Sequence, residues 1–388
     1  MRLLFVFNSP IAKRGSFEDL MTALARETLR RGDSCAFVFP GMGVADFELA
    51  QLAPVHIIRH PWNGLRAVWE IRRIATAFGA DVVNAHFCDT LNFLPLYAWA
   101  RVRGIRVVCH FHGEILPLDQ VQWFKRYLNS LRLVTMPARR VIAVSRANET
   151  YLRHLHIVPE TQVIYNGIDV DRFGGAAATE PLPASDLVPS GRYVVYLGSL
   201  IPRKRVDFLL RAFQKVAARL PDVKLVVAGG GDVEGHRALA AQLGLAERVS
   251  FTGLVRDYPM ALVKNAQLFV SASMQESFGL VFAEALALGV PVVACRIGGI
   301  PEVVEDNFVG LLSQLDDLDG FAANITRLLE DEPRRAAFAA RGPAWARARF
   351  ALDLRVTELL DSLASCPPIA PRRGLPLPPP NAGVHRPL

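Results

Sequence analysis

Cysteine is scarce in this chain of 388 residues and follows no pairing pattern. The five cysteines are scattered, odd in number and never spaced as Cys-x-x-Cys. Disulfide-rich secreted domains and cysteine-based zinc sites both depend on regular spacing, so this usage favours a reducing cytoplasm and argues against a structural metal site.

Long hydrophobic runs are also missing, since no stretch of eighteen apolar residues occurs and no transmembrane helix is predicted. The N-terminal run is interrupted early by Pro10, so it indicates a first buried strand rather than a signal peptide. Hydrophobic residues nevertheless make up 51% of the chain. A chain of this length exceeds one ordinary core, and two domains are expected.

The charge balance is basic, with a net charge of +7. Such a protein suits phosphorylated small molecules, anionic lipid or nucleic acid, but no nucleic-acid-binding motif is present, so nucleic acid is not an expected partner. The segment 120–140 combines aromatic side chains with five basic residues and no acidic one. It suits an anionic membrane surface, and a helix packed on its own sheet with a solvated basic side is the alternative.

The pattern of elements is that of a doubly wound α/β fold. A strand from Leu3 to Phe7 is followed by a loop containing Gly15, an amphipathic helix from Phe17 to Arg31 and a second strand. From Tyr193 the second half repeats this architecture after a stretch rich in Ala, Gly, Pro and Ser. Residues 365–388 are Pro-rich without periodicity and are predicted to be disordered.

Three histidines follow two buried strands of the first half. Ligands of open α/β sheets bind beyond the carboxyl ends of the strands, where His86, His110 and His112 are expected. His110 precedes Phe111 in strand phase, so a buried structural role competes with a role in the site. A metal site made of the three is not favoured, because no carboxylate accompanies them at a known spacing.

The stretch from Gln275 to Ala294 organises the second half and is predicted to form a loop, a helix, a Gly stop and a buried strand. Glu276 precedes the helix and Glu284 lies within it, with seven residues between them. Helix capping and solvent exposure are the simple explanations for these carboxylates. However, free backbone N–H groups at such a helix start form an anion site, and Gly279 permits close approach of a ligand.

This stretch resembles the donor-binding Glu-x7-Glu motif of the retaining GT-B glycosyltransferases of family 4. The intervening Ser-Phe-Gly, the later Gly-x-Pro-Val-Val and the run Gly298-Gly299-Ile300-Pro301-Glu302 match as well. So does the pairing of Val-Ser-Arg at 144–146 with Asn-Gly-Ile-Asp at 166–169. The resemblance covers about residues 1–360 and is strongest from 193 to 313.

The resemblance implies a GT-B fold, in which two Rossmann-like doubly wound domains face each other across a cleft. The first domain binds the acceptor and the second binds the nucleotide-sugar. The expected divisions are an acceptor domain at 1–173, a linker at 174–191, a donor domain at 192–349, a helix crossing back at 350–364 and a disordered tail at 365–388.

The resemblance also implies the roles of individual residues. Glu276 contacts the donor sugar, Glu284 binds the ribose hydroxyls, and His112 lies near the sugar. The expected catalytic residues are His112, Lys204 and Glu276. The expected donor-binding residues are Gly15, Ser199, Arg203, Lys204, Val255, Glu276, Ser277, Phe278, Gly279, Leu280 and Glu284.

Two positions depart from the family pattern. Only Gly15 stands where the family has a pair of glycines. After the first strand of the second half, Ser199 replaces the usual Arg, while Lys204 is in place. Either Arg203 or Arg205 supplies the second cation for the donor diphosphate, or the protein is a weak or non-catalytic donor binder.

The implied activity is retaining transfer of a hexosyl group from a UDP- or GDP-sugar to a saccharide or lipid-linked saccharide, in cell-surface polysaccharide, lipopolysaccharide or glycolipid synthesis. No acidic cluster appears near the expected donor site, so no metal is expected there. The expected location is the cytoplasm, on the inner face of the membrane. A sugar-nucleotide epimerase and a non-catalytic sugar-nucleotide-binding protein are the alternatives.

Overall fold

A computed structural model describes residues 1–8, 16–41, 48–58, 65–88, 93–113, 138, 140–154, 160–174, 191–255 and 259–367. Gly15, residues 120–137 and 139 of the basic aromatic segment, and the chain from 368 onward lie outside the described residues. Two parallel β-sheets, one from each half of the chain, form the framework. This confirms the predicted two-domain α/β architecture.

The first sheet has seven parallel strands in the order β3-β2-β1-β4-β5-β6-β7. Its strand order reverses between β1 and β4, and this switch point is where such sheets bind ligands. The strands are β1 Arg2–Phe7, β2 Ser34–Pro40, β3 Val55–Ile58, β4 Val82–His86, β5 Arg106–Phe111, β6 Arg140–Ala143 and β7 Thr161–Val163.

Both faces of this sheet are covered, which explains why its strands are almost continuously apolar. Along β1, Leu4 and Val6 point into one core, while Phe5 and Phe7 point into the other.

Among the described helices, none combines the length and the apolar character needed to cross a bilayer. The helices of this half are α1 Ser16–Arg30, α2 Glu48–Leu52, α3 Leu65–Phe78, α4 Leu94–Val102, α5 Arg146–His154 and α6 Val170–Gly174.

The second sheet has six parallel strands in the order β10-β9-β8-β11-β12-β13, with its switch point between β8 and β11. The strands are β8 Tyr193–Leu197, β9 Lys224–Ala228, β10 Val249–Gly253, β11 Leu268–Ser271, β12 Val292–Cys295 and β13 Gly310–Ser313. The helices are α7 Val206–Arg219, α8 Val233–Gln242, α9 Pro259–Lys264, α10 Leu280–Ala287, α11 Ile300–Val303, α12 Leu318–Glu330, α13 Glu332–Phe350 and α14 Leu352–Ser365.

The last helix returns to the first half of the molecule. Helix α14 packs against α1, and its side chains Leu359 and Leu363 join the core that contains Phe5. Helix α14 extends to Ser365, and Cys366 is only 1% exposed in the same core. The prediction of disorder from 365 onward is therefore wrong for these two residues, because their packing continues the apolar face of α14.

The chain also crosses in the opposite direction. Ile168, Val170 and Phe173 belong by sequence to the first domain, but they pack in the core of the second sheet. The Ile168 amide donates to the Phe350 carbonyl at 2.8 Å, and the Leu352 amide donates to the Ile168 carbonyl at 3.0 Å. The two crossings therefore touch each other, between α13 and α14.

Candidate active site

The loop after β11 carries the start of the Glu-x7-Glu pattern into α10. Gly279 has a φ of +90°, and a Cβ there would lie 2.3 Å from a ring carbon of Phe282. Phe278 and Phe282 are each 1% exposed and anchor the two ends of this turn in the core. Glycine is therefore required at 279, and the first N–H groups of α10 can approach a ligand closely.

A pair of adjacent glycines, Gly298 and Gly299, packs against the same loop. The Gly299 amide donates to the Glu276 carbonyl at 2.9 Å. A Cβ at Gly298 would lie 2.1 Å from that carbonyl oxygen, and a Cβ at Gly299 would lie 2.4 Å from the Ser277 carbonyl oxygen. The Gly-Gly-Ile-Pro-Glu run thus holds the backbone of Glu276 and Ser277 in place.

The structure pairs Lys204 with Glu276. The Lys204 Nζ lies 2.5 Å from a Glu276 carboxylate oxygen, and both side chains are less than one-fifth exposed. Lys204 ends a short 3-10 turn after β8, and the Met274 amide donates to the Arg203 carbonyl at 2.9 Å. The loops that follow the two switch-point strands, β8 and β11, are therefore tied together at this ion pair.

The neighbouring arginines differ in their surroundings. Arg205 pairs with Asp316 at 2.6 Å and lies over the ring of Phe208, 4.4 Å from its centroid. Arg203 instead lines the cavity that also contains Glu276. Of the two arginines considered as a second cation, Arg203 is the one whose position suits that role.

Three other predicted donor-binding residues lie just after β8, just after β10 and within α10. Ser199 is exposed, and its carbonyl accepts a hydrogen bond from the Tyr196 hydroxyl at 2.9 Å. Val255 is half-buried just after β10, and Glu284 is half-buried one turn into α10. None of these three side chains lines the cavity around Glu276. Gly15 lies outside the described residues.

The three histidines meet at the carboxyl ends of β4 and β5. The His86 and His112 ring nitrogens, Nδ1 and Nε2, lie 3.0 Å apart, and the His110 ring is 4.4 Å from that of His86 and 4.5 Å from that of His112. Burial lowers the pKa of His86 and His110 well below the usual range and also lowers that of His112. All three rings are therefore neutral at pH 7.

Two further residues, which were not predicted from the sequence, shape this side of the cleft. Phe87 has a φ of +57° directly after β4, and its ring stacks on His112 at 4.3 Å. Asn84, buried within β4, holds His86 through its side-chain oxygen at 2.7 Å. A phenylalanine in the left-handed backbone conformation cannot be recognised from the sequence. An asparagine within a strand does not by itself indicate a functional site.

Direct contacts join the two halves next to the site. The Ser277 hydroxyl donates to the Gly113 carbonyl at 2.6 Å. The Glu302 carboxylate accepts from the amides of Arg146 and Ala147 at 2.8 and 2.9 Å, at the start of α5. It also accepts from the Tyr165 hydroxyl at 3.0 Å. The final Glu of the Gly-Gly-Ile-Pro-Glu run thus holds the second half against the first.

A cavity of about 440 Å³ lies between the halves. The first half contributes Leu20, Phe87, His112, Gly113, Val144, Asn166 and Gly167, and the second contributes Arg203, Glu276, Ser277, Phe278, Gly279 and Leu280. The structure thus brings together most of the predicted site residues. Lys204 adjoins this wall through its ion pair with Glu276.

Comparison with known families assigns each half of the chain. The model of Glycosyltransferase Family 4 matches residues 18–172, and the model of Glycosyl transferases group 1 matches residues 183–345. The two matches divide the chain between its two sheets.

Named relatives are similar over nearly the whole chain. A GDP-mannose-dependent alpha-(1-6)-phosphatidylinositol monomannoside mannosyltransferase of Mycobacterium tuberculosis is 36% identical, covering 93% of this chain and 98% of the relative. A D-inositol 3-phosphate glycosyltransferase of Mycolicibacterium gilvum is also 36% identical, covering 85% and 82% respectively.

Solved structures share the fold. Anabaena HepE in complex with UDP superposes with a TM-score of 0.78 at 25% identity, covering 94% of this chain and 100% of that one. Sucrose-phosphate synthase from Thermosynechococcus elongatus has a TM-score of 0.75 at 20% identity, with the same coverage. The chain therefore adopts the GT-B fold and belongs to the glycosyltransferases, with a family 4 domain followed by a group 1 domain.

Proposed function

We propose that this glycosyltransferase transfers a hexosyl group, with retention of configuration, from a nucleotide-diphosphate sugar to a saccharide or lipid-linked saccharide. The observation that carries the proposal is the Lys204–Glu276 ion pair, held against the start of α10 beside a cavity that both halves line. A cation, a carboxylate and free helix amides are the groups that a sugar diphosphate requires.

The leaving diphosphate is bound by Lys204, Arg203 and the amides from Phe278 to Leu280. Negative charge grows on this group as the sugar departs, and preorganised donors that face it lower the barrier. When the donor enters, its phosphate competes with Glu276 for Lys204. The Glu276 carboxylate is then available to accept hydrogen bonds from the sugar hydroxyls, so one ion pair prepares both halves of the donor site.

The remaining donor contacts are part of the same proposal. Glu284, one turn into α10, binds the ribose hydroxyls, and His112 contacts the sugar from the first half of the molecule. Ser199 and Val255 border the nucleotide at the ends of β8 and β10, and Gly15 approaches the donor phosphate. Since protein cations meet the diphosphate charge, the transfer step requires no divalent metal.

The base of the donor is guanine or uracil. The mannosyltransferase relatives are named for GDP-mannose, and HepE was solved with UDP. GDP-mannose is therefore the first donor to test. The acceptor class fits cell-surface polysaccharide, lipopolysaccharide or glycolipid synthesis on the cytoplasmic side of a membrane.

Segment 120–140 is proposed to contact an anionic membrane surface, although most of it lies outside the described residues. Binding of the protein to vesicles containing anionic lipid should weaken as salt is raised, because exposed charges are screened. Reversing Lys125, Arg126 and Arg132 to Glu should abolish it. Vesicle binding that survives these three changes would rule out this role and leave the transferase proposal intact.

The proposed activity is tested with purified protein, GDP-mannose or UDP-glucose, and membranes as a source of acceptor. A transferase releases GDP or UDP in proportion to a new glycoside, and NMR of that product should show the anomeric configuration of the donor. An epimerase would alter the donor sugar without acceptor. A non-catalytic binder would show a donor-dependent rise in melting temperature and no product.

A further inference from the structure

A chain of hydrogen bonds runs from the core of the first half to the wall of the cavity. Asn84, within β4, contacts His86 at the end of the same strand, and His86 contacts His112 just after β5. His86 is fully buried, whereas His112 is half-buried and lines the cavity. Because each hydrogen bond has a donor and an acceptor, the buried end of the chain can decide which nitrogen of His112 carries the proton.

Asn84 sets the direction of this chain. Its side-chain nitrogen donates to the Val108 carbonyl at 3.1 Å. The opposite orientation of the amide would place two acceptor oxygens at that distance, so the Asn84 side-chain oxygen faces His86. That oxygen lies 2.7 Å from His86 Nε2, which therefore carries the proton that it donates. A neutral His86 then has a lone pair at Nδ1.

The next hydrogen bond fixes the tautomer of His112. His86 Nδ1, which can only accept, lies 3.0 Å from His112 Nε2, so His112 Nε2 is the donor. Burial lowers the pKa of both rings, that of His112 to about 3, and each ring therefore holds a single proton at pH 7. His112 consequently has its proton at Nε2 and a lone pair at Nδ1, and Nδ1 is its acceptor atom.

Neighbouring aromatic rings hold the planes of the two imidazoles. The His86 ring lies 4.4 Å from the Phe7 ring and 4.4 Å from the His110 ring. The His112 ring lies 4.3 Å from the Phe87 ring and 4.5 Å from the His110 ring. Neither nitrogen of His110 has a hydrogen-bond partner among the described residues, so His110 contributes to this cluster through its ring face. Packing therefore restrains the ring planes, while the hydrogen bonds set which edge of each ring faces which neighbour.

We propose that Asn84 and His86 are positioning residues, which hold His112 in the tautomer protonated at Nε2, so that its Nδ1 accepts a hydrogen bond from a hydroxyl of the donor sugar. This inference rests on the proposed function, in which His112 contacts that sugar. A neutral acceptor favours a hydroxyl at the sugar position that faces His112. It disfavours a carboxylate there, because a carboxylate has no proton to donate at pH 7.

The tautomer is measured on the full chain without any sugar donor. In protein labelled with ¹⁵N-histidine, two-bond ¹H–¹⁵N correlation spectra at pH 7 distinguish protonated from unprotonated ring nitrogens. The signals that disappear in His112→Ala are those of His112. Wild type should show His112 protonated at Nε2 alone. A proton at Nδ1, or on both nitrogens, would overturn the proposal.

Asn84→Leu tests the buried end of the chain, since it removes the amide at nearly the same volume. Without the amide oxygen, either nitrogen of His86 can hold the proton, and His112 should then appear as a mixture of tautomers. The kcat/KM for the sugar donor should fall about tenfold, the scale for a buried polar group left without its partner. Asn265→Leu is the matched control, because Asn265 is exposed and its side chain donates to the Ala261 carbonyl. It should change neither the His112 signals nor kcat/KM.

A double-mutant cycle separates positioning from general damage to the fold. Adding Asn84→Leu to His112→Ala should cause no further loss of kcat/KM, because the residue that Asn84 positions is already gone. The same tenfold loss in both backgrounds would overturn the positioning role. A chain that transfers no sugar would contradict the proposed function, and the spectrum of the free protein would still decide the tautomer, so the two failures are distinguishable.

A second pair of variants protects the test against misfolding of Asn84→Leu, as judged by its melting curve. His86→Asn places an amide oxygen near the position of Nδ1 and should keep His112 protonated at Nε2, whereas His86→Leu removes the acceptor. The kcat/KM of His86→Asn should exceed that of His86→Leu by at least about threefold. Equal values in the two folded variants would overturn the proposal.

Discussion

The two halves of this glycosyltransferase have the same sheet order around their switch points but build their walls of the cleft differently. In the second half, Gly298 and Gly299 let one backbone segment rest on another, and Gly279 lets the backbone pass close to the Phe282 ring. In the first half, the half-buried rings of Phe87 and His112 line the cavity, and the buried ring of His86 stacks on Phe7 behind them. Close backbone approach demands glycine at fixed positions and leaves a pattern in the sequence, whereas buried rings at a strand end look like ordinary core.

The largest loss of turnover is expected when a residue of the second-half wall is changed. Lys204→Ala should reduce turnover by about a hundredfold or more, the scale for removing one preorganised donor to a developing charge. Lys215→Ala is the matched control, because Lys215 pairs with Asp319 on the surface. Steady-state kinetics with the cognate donor measures both. If His112→Ala lost more turnover than Lys204→Ala, the first-half wall would contribute more to the transfer step than the second-half wall, contrary to the proposal.

A smaller loss is expected in nucleotide binding. Glu284→Ala should weaken binding of free GDP or UDP by about 1.5–3 kcal/mol, because it removes a charged acceptor from the ribose hydroxyls. Isothermal titration calorimetry measures the change, with Glu330→Ala as a control, since Glu330 pairs with Arg219 at the surface. Equal affinity in wild type and Glu284→Ala would show that the ribose lies elsewhere.

The missing arginine at 199 provides a finer test. Arg203→Ala should cost at least about tenfold in turnover, because a guanidinium grips phosphate with two parallel hydrogen bonds. Arg205→Ala should cost less, since that side chain pairs with Asp316. Ser199→Arg should leave turnover near that of wild type. A large gain from Ser199→Arg would mean that Arg203 does not replace the missing charge.

The smallest effect should come from chelation. EDTA should leave turnover within about twofold of the untreated enzyme, because protein cations bind the diphosphate. Metal content should be measured in the same samples. Complete loss of turnover that Mg²⁺ or Mn²⁺ restores would contradict the metal-independent transfer step.

Much of the fold was predictable because the signals are local. The strand at Leu3–Phe7, the helix after it and the repeat of this unit from Tyr193 all follow from apolar periodicity and glycine stops. The loop at 276–279 was predictable because its backbone geometry tolerates few residue types. The extent of the last helix was misjudged, since Cys366 is held by packing on a distant part of the chain.

The rest depends on contacts between remote residues. Nothing in the sequence indicates that Lys204 and Glu276, 72 positions apart, form an ion pair. The meeting of His86 with His110 and His112 depends on the register of β4 against β5, which pairs His86 with His110. The sequence placed these rings at one edge of a sheet, but their mutual distances come only from the fold.

Gly167 lies both at the cavity and at the place where the chain crosses between the halves. It lines the cavity, and a Cβ there would lie 2.9 Å from the Leu352 Cα, beside the Ile168–Ala351 bridge where the chain passes between the halves. The floor of the cavity is therefore part of the crossing itself. A molecule bound in the cavity would rest against the backbone that joins the two halves, with no side chain of residue 167 between them.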